Sequence, residues 1–129
     1  MSTIAVDNAR PSAGGTSYSL TSGVAKAWVN FNGTGTVSIR ESYNVGSITD
    51  NGTGDYTVGF SDTIANSDYC AVGAGKGEAN LTITANNNTT MFLPAIYQTT
   101  SLRVFLARDG ASGPKDSENA NCSIFGDLA

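Results

Sequence analysis

At 129 residues the chain has the length of one domain, with room for a single core and none for a second. Charged residues make up only 14% of it and the net charge is −4, which argues against binding nucleic-acid backbones, since that relies on Lys and Arg clusters. No apolar run reaches the roughly 18 residues of a membrane helix, so neither nucleic acid nor a bilayer is an expected partner.

Residues 1–23 read as an N-terminal arm or edge strand, and residues 24–129 as the folded domain. MSTIAVDNARPSAGG lacks the basic patch and apolar stretch of a secretion signal, so synthesis in a cytoplasm without that export route is expected. The arm opens with Thr3-Ile4-Ala5-Val6 and then turns rich in Pro, Ser and Gly. Such a segment buries too little alone to offset its ordering entropy. Ile4 and Val6 are therefore its candidate anchors, either on this chain's own sheet edge or on another protein.

From Ala25 onward the dominant period is two, the mark of strands with one face on a core. In AKAWVNFN, Ala25, Ala27, Val29 and Phe31 alternate with polar positions and with Trp28. Trp28 is out of phase with that apolar side, so a second sheet or a neighbouring subunit is expected to cover it, and it is a candidate interface residue. In TVSIRESYNV the spacing predicts Val37, Ile39, Tyr43 and Val45 on one side, and in DYTVGF it groups Tyr56, Val58 and Phe60.

The tetrapeptide NGTG occurs twice, as residues 32–35 and 51–54. Asn-Gly tolerates the positive φ of a tight hairpin turn, because Gly has no Cβ and Asn accepts the left-handed region. Asn32-Gly33 and Asn51-Gly52 are thus expected to reverse the chain, with the second Gly of each copy available for a bulge.

Further short strands follow at DYCAVGAG, ANLTITAN (Leu81 and Ile83 alternating), TTMFLPAIYQTT, SLRVFLARDG (Leu102, Val104, Leu106) and NCSIFGD. Pro94 marks its strand as an edge or a bend. Asn86-Asn87-Asn88 and DGASGPKDSENAN read as loops. Regularly spaced short strands with no helical period predict an all-β fold, an antiparallel β-sandwich of jelly-roll type.

The chain contains no histidine, which removes the commonest general base and the Ser-His and Cys-His pairings. Two cysteines alone cannot complete a structural zinc site. Cys70 and Cys122 either pair across a long loop or stay reduced as small buried hydrophobes, and both readings stand. GAGKGE resembles a phosphate loop but fails it: Cys70 stands where the first Gly belongs, and Gly77 where Ser or Thr belongs. Asp50, Asp55, Asp62 and Asp68 flank turns, where capping is a more ordinary duty than weak calcium binding. No enzyme activity, cofactor or metal is expected.

The segment AKAWVNFNGTGTVSIRESYNVGSITDNGTGDYTVGF, with the terminal Ile124-Phe125-Gly126-Asp127, resembles a module of tailed-bacteriophage structural proteins. That module ends tail fibres and also occurs in short free-standing phage proteins. The likeness is specific from Ala25 to Phe60 and loose from Tyr69 onward. It implies a virion protein, made in the host cytoplasm and exposed after lysis, and it carries over no catalytic residues. A fibre carries an attachment domain and a long shaft, whereas a module of this size is better suited to decorating a shell, so the first expectation is a capsid decoration (cement) protein on the outer head surface. By analogy it is a homotrimer, with the major capsid protein as partner. The alternative is a tail-fibre or tail-tip subunit, with tail proteins as partners and a host surface receptor as ligand. Trp28, Tyr43, Tyr56 and Tyr97, among Asn and Ser neighbours, then line a glycan site, or else serve as core or interface.

Overall fold

A computed structural model describes residues 2–3, 5–9, 13–20, 23–75, 90–108 and 113–129. Among them there are ten strands and no helix: β1 (Asn8–Ala9), β2 (Tyr18–Ser19), β3 (Ala27–Asn32), β4 (Ser38–Tyr43), β5 (Val45–Gly52), β6 (Asp55–Phe60), β7 (Cys70–Gly75), β8 (Thr90–Tyr97), β9 (Ser101–Arg108) and β10 (Ala120–Phe125). β1 and β2 pair only with each other. The rest form two four-stranded antiparallel sheets, ordered β4-β3-β10-β7 and β5-β6-β9-β8. The chain is therefore an antiparallel β-sandwich. This strand order does not establish a jelly roll.

Strict alternation builds the core. Ala27, Val29 and Phe31 of β3 and Ala120, Cys122 and Ile124 of β10 face Tyr56 and Val58 of β6 and Leu102, Val104 and Leu106 of β9, all buried. Phe31 and Tyr56 meet edge to face across the two sheets, ring centroids 5.2 Å apart. Truncating a large side chain such as Leu102 or Leu106 in such a core costs on the order of 2–5 kcal/mol.

The run expected to place Val37, Ile39, Tyr43 and Val45 on one side is broken twice. The β3–β4 register moves from Asn30↔Glu41 to Phe31↔Ile39, so Arg40 is an extra, bulged residue and the phase beyond it inverts. Ile39 packs against the core, whereas Tyr43 turns outward and is 54% exposed. At Asn44 the chain then leaves one sheet for the other. Asn44 has φ 54°, and its side chain ties the corner: Nδ2 donates to the Lys26 and Asp62 carbonyls, both at 3.1 Å, and Oδ1 accepts the Asp62 N–H at 2.6 Å.

Pro94 lies in β8, an edge strand whose register slips between Pro94 and Ile96. A residue without an N–H and a bulge both blunt an edge against unwanted pairing. The ANLTITAN run, with Leu81 and Ile83, lies outside the described residues. In the N-terminal segment the pairing falls at Asn8–Ala9 with Tyr18–Ser19, and Val6 is not in a strand. Ile4 lies outside the described residues. No helix long and apolar enough to cross a membrane occurs among the described residues.

Candidate interaction surfaces

The two NGTG copies both sit at hairpin reversals, but they are built differently. In the first, β3 and β4 are joined by the five residues 33–37, and Asn32 folds over its own turn. Its Oδ1 accepts the Thr34 N–H at 3.1 Å and the Thr34 hydroxyl at 2.8 Å, while Nδ2 donates to the Thr34 carbonyl at 3.0 Å. In the second, Gly52 pairs with Asp55, so the loop is only Thr53-Gly54. Asn51 does not fold over that turn; its amide reaches Thr57 Oγ1 at 2.9 Å and Asp55 at 3.3 Å, and Asp50 caps the Gly52 N–H instead.

The expected positive φ at Gly33 is not observed. Left-handed angles fall on Gly35 (φ 62°), Gly52 (φ 138°) and Gly54 (φ 65°). Gly33 is needed for space instead: a Cβ there would come 2.6 Å from the Tyr56 hydroxyl and 3.0 Å from the Ser117 carbonyl.

That contact joins the copies. The Tyr56 hydroxyl lies 2.7 Å from the Gly33 carbonyl and 2.7 Å from Asp116 Oδ1, and one proton serves either acceptor in turn. Asp116 Oδ1 also accepts the Gly54 N–H at 2.7 Å, and the Gly33 N–H donates to the Ser117 carbonyl at 2.8 Å. Burial and the neighbouring Asp116 carboxylate push the Tyr56 phenol far up. Both loops and the segment leading into β10 therefore close on one tyrosine. Asp116 and Ser117 belong to the stretch read from sequence only as a loop. Their one signal was the Asp-Ser pair after Pro114, too common to single out.

Trp28 is half-buried on the outer face of the β4-β3-β10-β7 sheet, opposite in phase to Ala27 and Val29. The register sets Tyr43, Trp28, Ser123 and Val72 side by side across the four strands. Glu41, Asn30, Asn121 and Ala74 form the next row on the same face. Phe125 and Cys70 pair beyond Ser123 on its other side. No element of the described residues covers Tyr43 or Val72, which are 54% and 50% exposed. Of the four aromatics grouped from sequence, Trp28 and Tyr43 are brought together. Tyr56 is core, and Tyr97 packs inward on Tyr69 at 5.0 Å. Burial pushes the Tyr69 phenol up to about 12.

Val6 lines an open cleft of about 410 Å³ with Leu20, Lys26, Asp127 and Leu128, where the N-terminal ribbon meets the C-terminal end of the sandwich. Lys26 Nζ donates to the Leu20 carbonyl at 3.0 Å, and the Leu20 N–H to the Asp7 carbonyl at 2.9 Å, which hold the ribbon there. Val6 is 56% exposed.

Cys70 and Cys122 are free thiols, with Cys122 directed into the core and Cys70 on the outer face. Burial pushes the Cys122 thiol up to about 12. Among the described residues no three His, Cys, Asp or Glu converge as a metal site. Asp55 is engaged otherwise, in a bidentate pair with Arg103 (2.9 and 2.5 Å) that holds its carboxyl below the usual range. The Arg103 guanidinium also lies 5.3 Å from the Phe105 ring centroid.

No family model, no curated protein and no solved structure matches this chain.

Proposed function

We propose that the chain is a bacteriophage virion structural protein, and within that class a capsid decoration protein bound to the outer head surface as a small oligomer, a homotrimer by analogy. The sequence likeness over Ala25–Phe60 and the terminal Ile124-Phe125-Gly126-Asp127 supports the class. The observation that carries the attachment is the cleft at the ribbon. An apolar wall of Val6, Leu20 and Leu128 stands open at the rim of the sandwich, with the N-terminal segment already held there by Lys26. Its role is mechanical, with no catalytic step. Contacts made to the assembled lattice and not to free capsid subunits add their binding free energy to the particle.

A tail-fibre or tail-tip subunit is the second reading, favoured by the outer face on which half-buried Trp28 pairs with exposed Tyr43, which offers a receptor surface. Quantifying the protein in purified particles separates the two. Many copies per particle support the head, and a handful moves it to the tail. For attachment, Val6→Glu is expected to leave a folded oligomer larger than 13.3 kDa that no longer incorporates. Normal incorporation of that variant removes the cleft from the mechanism.

A further inference from the structure

We propose that the β5–β6 hairpin carries a self-modification site, at which the Gly52 backbone nitrogen attacks the Asn51 side-chain amide and converts Asn51 to aspartate or isoaspartate. Asp50 serves as the base. The same dipeptide at Asn32-Gly33 is held unreactive by the fold. Both copies read Asn-Gly-Thr-Gly, so the reacting residues are matched and their surroundings decide. Gly hinders such an attack least, because no Cβ shields its nitrogen.

The step balances without an enzyme or a cofactor. The Gly52 nitrogen bonds to Asn51 Cγ, its proton passes to Asp50 and on to the leaving amide nitrogen, and the Cγ–Nδ2 bond breaks with loss of ammonia. Water then opens the cyclic succinimide at either carbonyl, giving aspartate or isoaspartate. Water enters, ammonia leaves and nothing is oxidised.

At the second copy the reacting groups are open. Asn51 and Gly52 are exposed, and a Cβ built on Gly52 would meet nothing within 4 Å. Asp50 Oδ1 accepts the Gly52 N–H at 2.9 Å, within the reach a general base requires. Asn51 is held through its amide nitrogen, by Thr57 Oγ1 at 2.9 Å and Asp55 at 3.3 Å, and its Oδ1 accepts no bond among the described residues. The register runs from Asp50↔Tyr56 to Gly52↔Asp55, so Asn51 is a bulged residue. The extra backbone methylene of an isoaspartate therefore falls outside the pairing.

At the first copy the same groups are closed. Gly33 is buried, its N–H is committed to the Ser117 carbonyl at 2.8 Å, and a Cβ on it would lie 2.6 Å from the Tyr56 hydroxyl. The Asn32 amide is bonded to Thr34 through both its oxygen and its nitrogen. Attack there requires Gly33 to give up Ser117 and Asn32 to give up Thr34. The preceding residue is Phe31, which supplies no base. Conversion at Asn51 replaces an amide that donates to Asp55 with a carboxylate, adding a negative charge beside the Asp55–Arg103 pair. The assignment rests on the two hairpins alone and holds for a head or a tail location.

The full-length protein is aged in mildly alkaline buffer, native and in urea, then digested with trypsin and mapped by mass spectrometry with fragmentation. Cleavage at Lys26, Arg40 and Lys76 puts the two copies on separate peptides. In the native protein Asn51 is expected to show the amide-to-acid mass gain at least about tenfold faster than Asn32, and in urea the two rates should converge. Asp50→Ala, a change at an exposed side chain, is expected to slow native Asn51 severalfold, with circular dichroism checking the fold. No conversion of native Asn51 overturns the proposal. So do equal native rates, or a preference for Asn51 that persists in urea and assigns the difference to local sequence. A rate that Asp50→Ala leaves unchanged or raises overturns Asp50 as the base.

Discussion

The two NGTG loops share four letters and almost nothing else. In the first copy two glycines divide the work: Gly33 supplies space beneath the Tyr56 hydroxyl, and Gly35 supplies the left-handed angle with open surroundings. In the second copy Gly54 does both, at φ 65° with a Cβ position 2.5 Å from the Leu106 carbonyl, while Gly52 supplies a positive angle in open space. A turn motif thus specifies that the chain reverses. Which glycine is indispensable is decided by what the rest of the chain places over it.

That contrast gives a ranked set of expectations. Gly54→Ala is the most damaging, since it adds left-handed strain to a backbone clash, a loss of roughly 3 kcal/mol in denaturant unfolding. Gly33→Ala comes next at about 2 kcal/mol, from overpacking alone. Gly35→Ala and Gly52→Ala are each expected to cost about 1 kcal/mol, from the positive angle alone. If Gly33→Ala proves no worse than Gly35→Ala, the first loop is held by its angle and not by the tyrosine.

Tyr56→Phe cuts the link between the copies, with an expected loss of about 1 kcal/mol at neutral pH. Its pH dependence is a sharper test. The folded-state phenol is raised above its unfolded value of 10.0. Its contribution is therefore complete below about pH 10 and is lost as pH rises toward the folded value, because only the unfolded chain releases that proton. Wild-type stability should fall through this alkaline window more steeply than that of Tyr56→Phe, with Tyr69 and Cys122, both raised by burial, contributing slope to the two proteins alike. Equal slopes would mean that the hydroxyl is not held as described.

The smallest effect belongs to the residue after each copy, Thr36 in the first and Asp55 in the second. The Asp55 carboxyl is lowered by Arg103, so its contribution is present above the ordinary carboxylate range near pH 4 and fades as pH falls through the lower folded value. Arg103→Gln should flatten acid unfolding slightly, and added salt should shrink the difference further, since the pair is solvent-accessible.

Strands with unbroken alternation, β3, β6 and β9, were legible in the sequence because each buried position is two residues from the next. β4 was not, since a single bulged residue at Arg40 inverts the phase and nothing local announces it. Of the surfaces, Trp28 could be placed outward from its phase alone. Its pairing with Tyr43 depended on the bulge. The closure of both loops on Tyr56 was out of reach, because Asp116 lies 60 residues away in sequence and only the completed sandwich brings it near.

The inward turn of Cys122 has a practical consequence. A thiol that holds its proton up to about 12 in the core is inert toward a maleimide, which attacks the thiolate, while Cys70 stands in solvent on the outer face. The unaltered chain therefore carries one chemical handle. A dye coupled at Cys70 marks each copy once, so stepwise photobleaching of any single labelled assembly counts its copies directly, without an engineered cysteine.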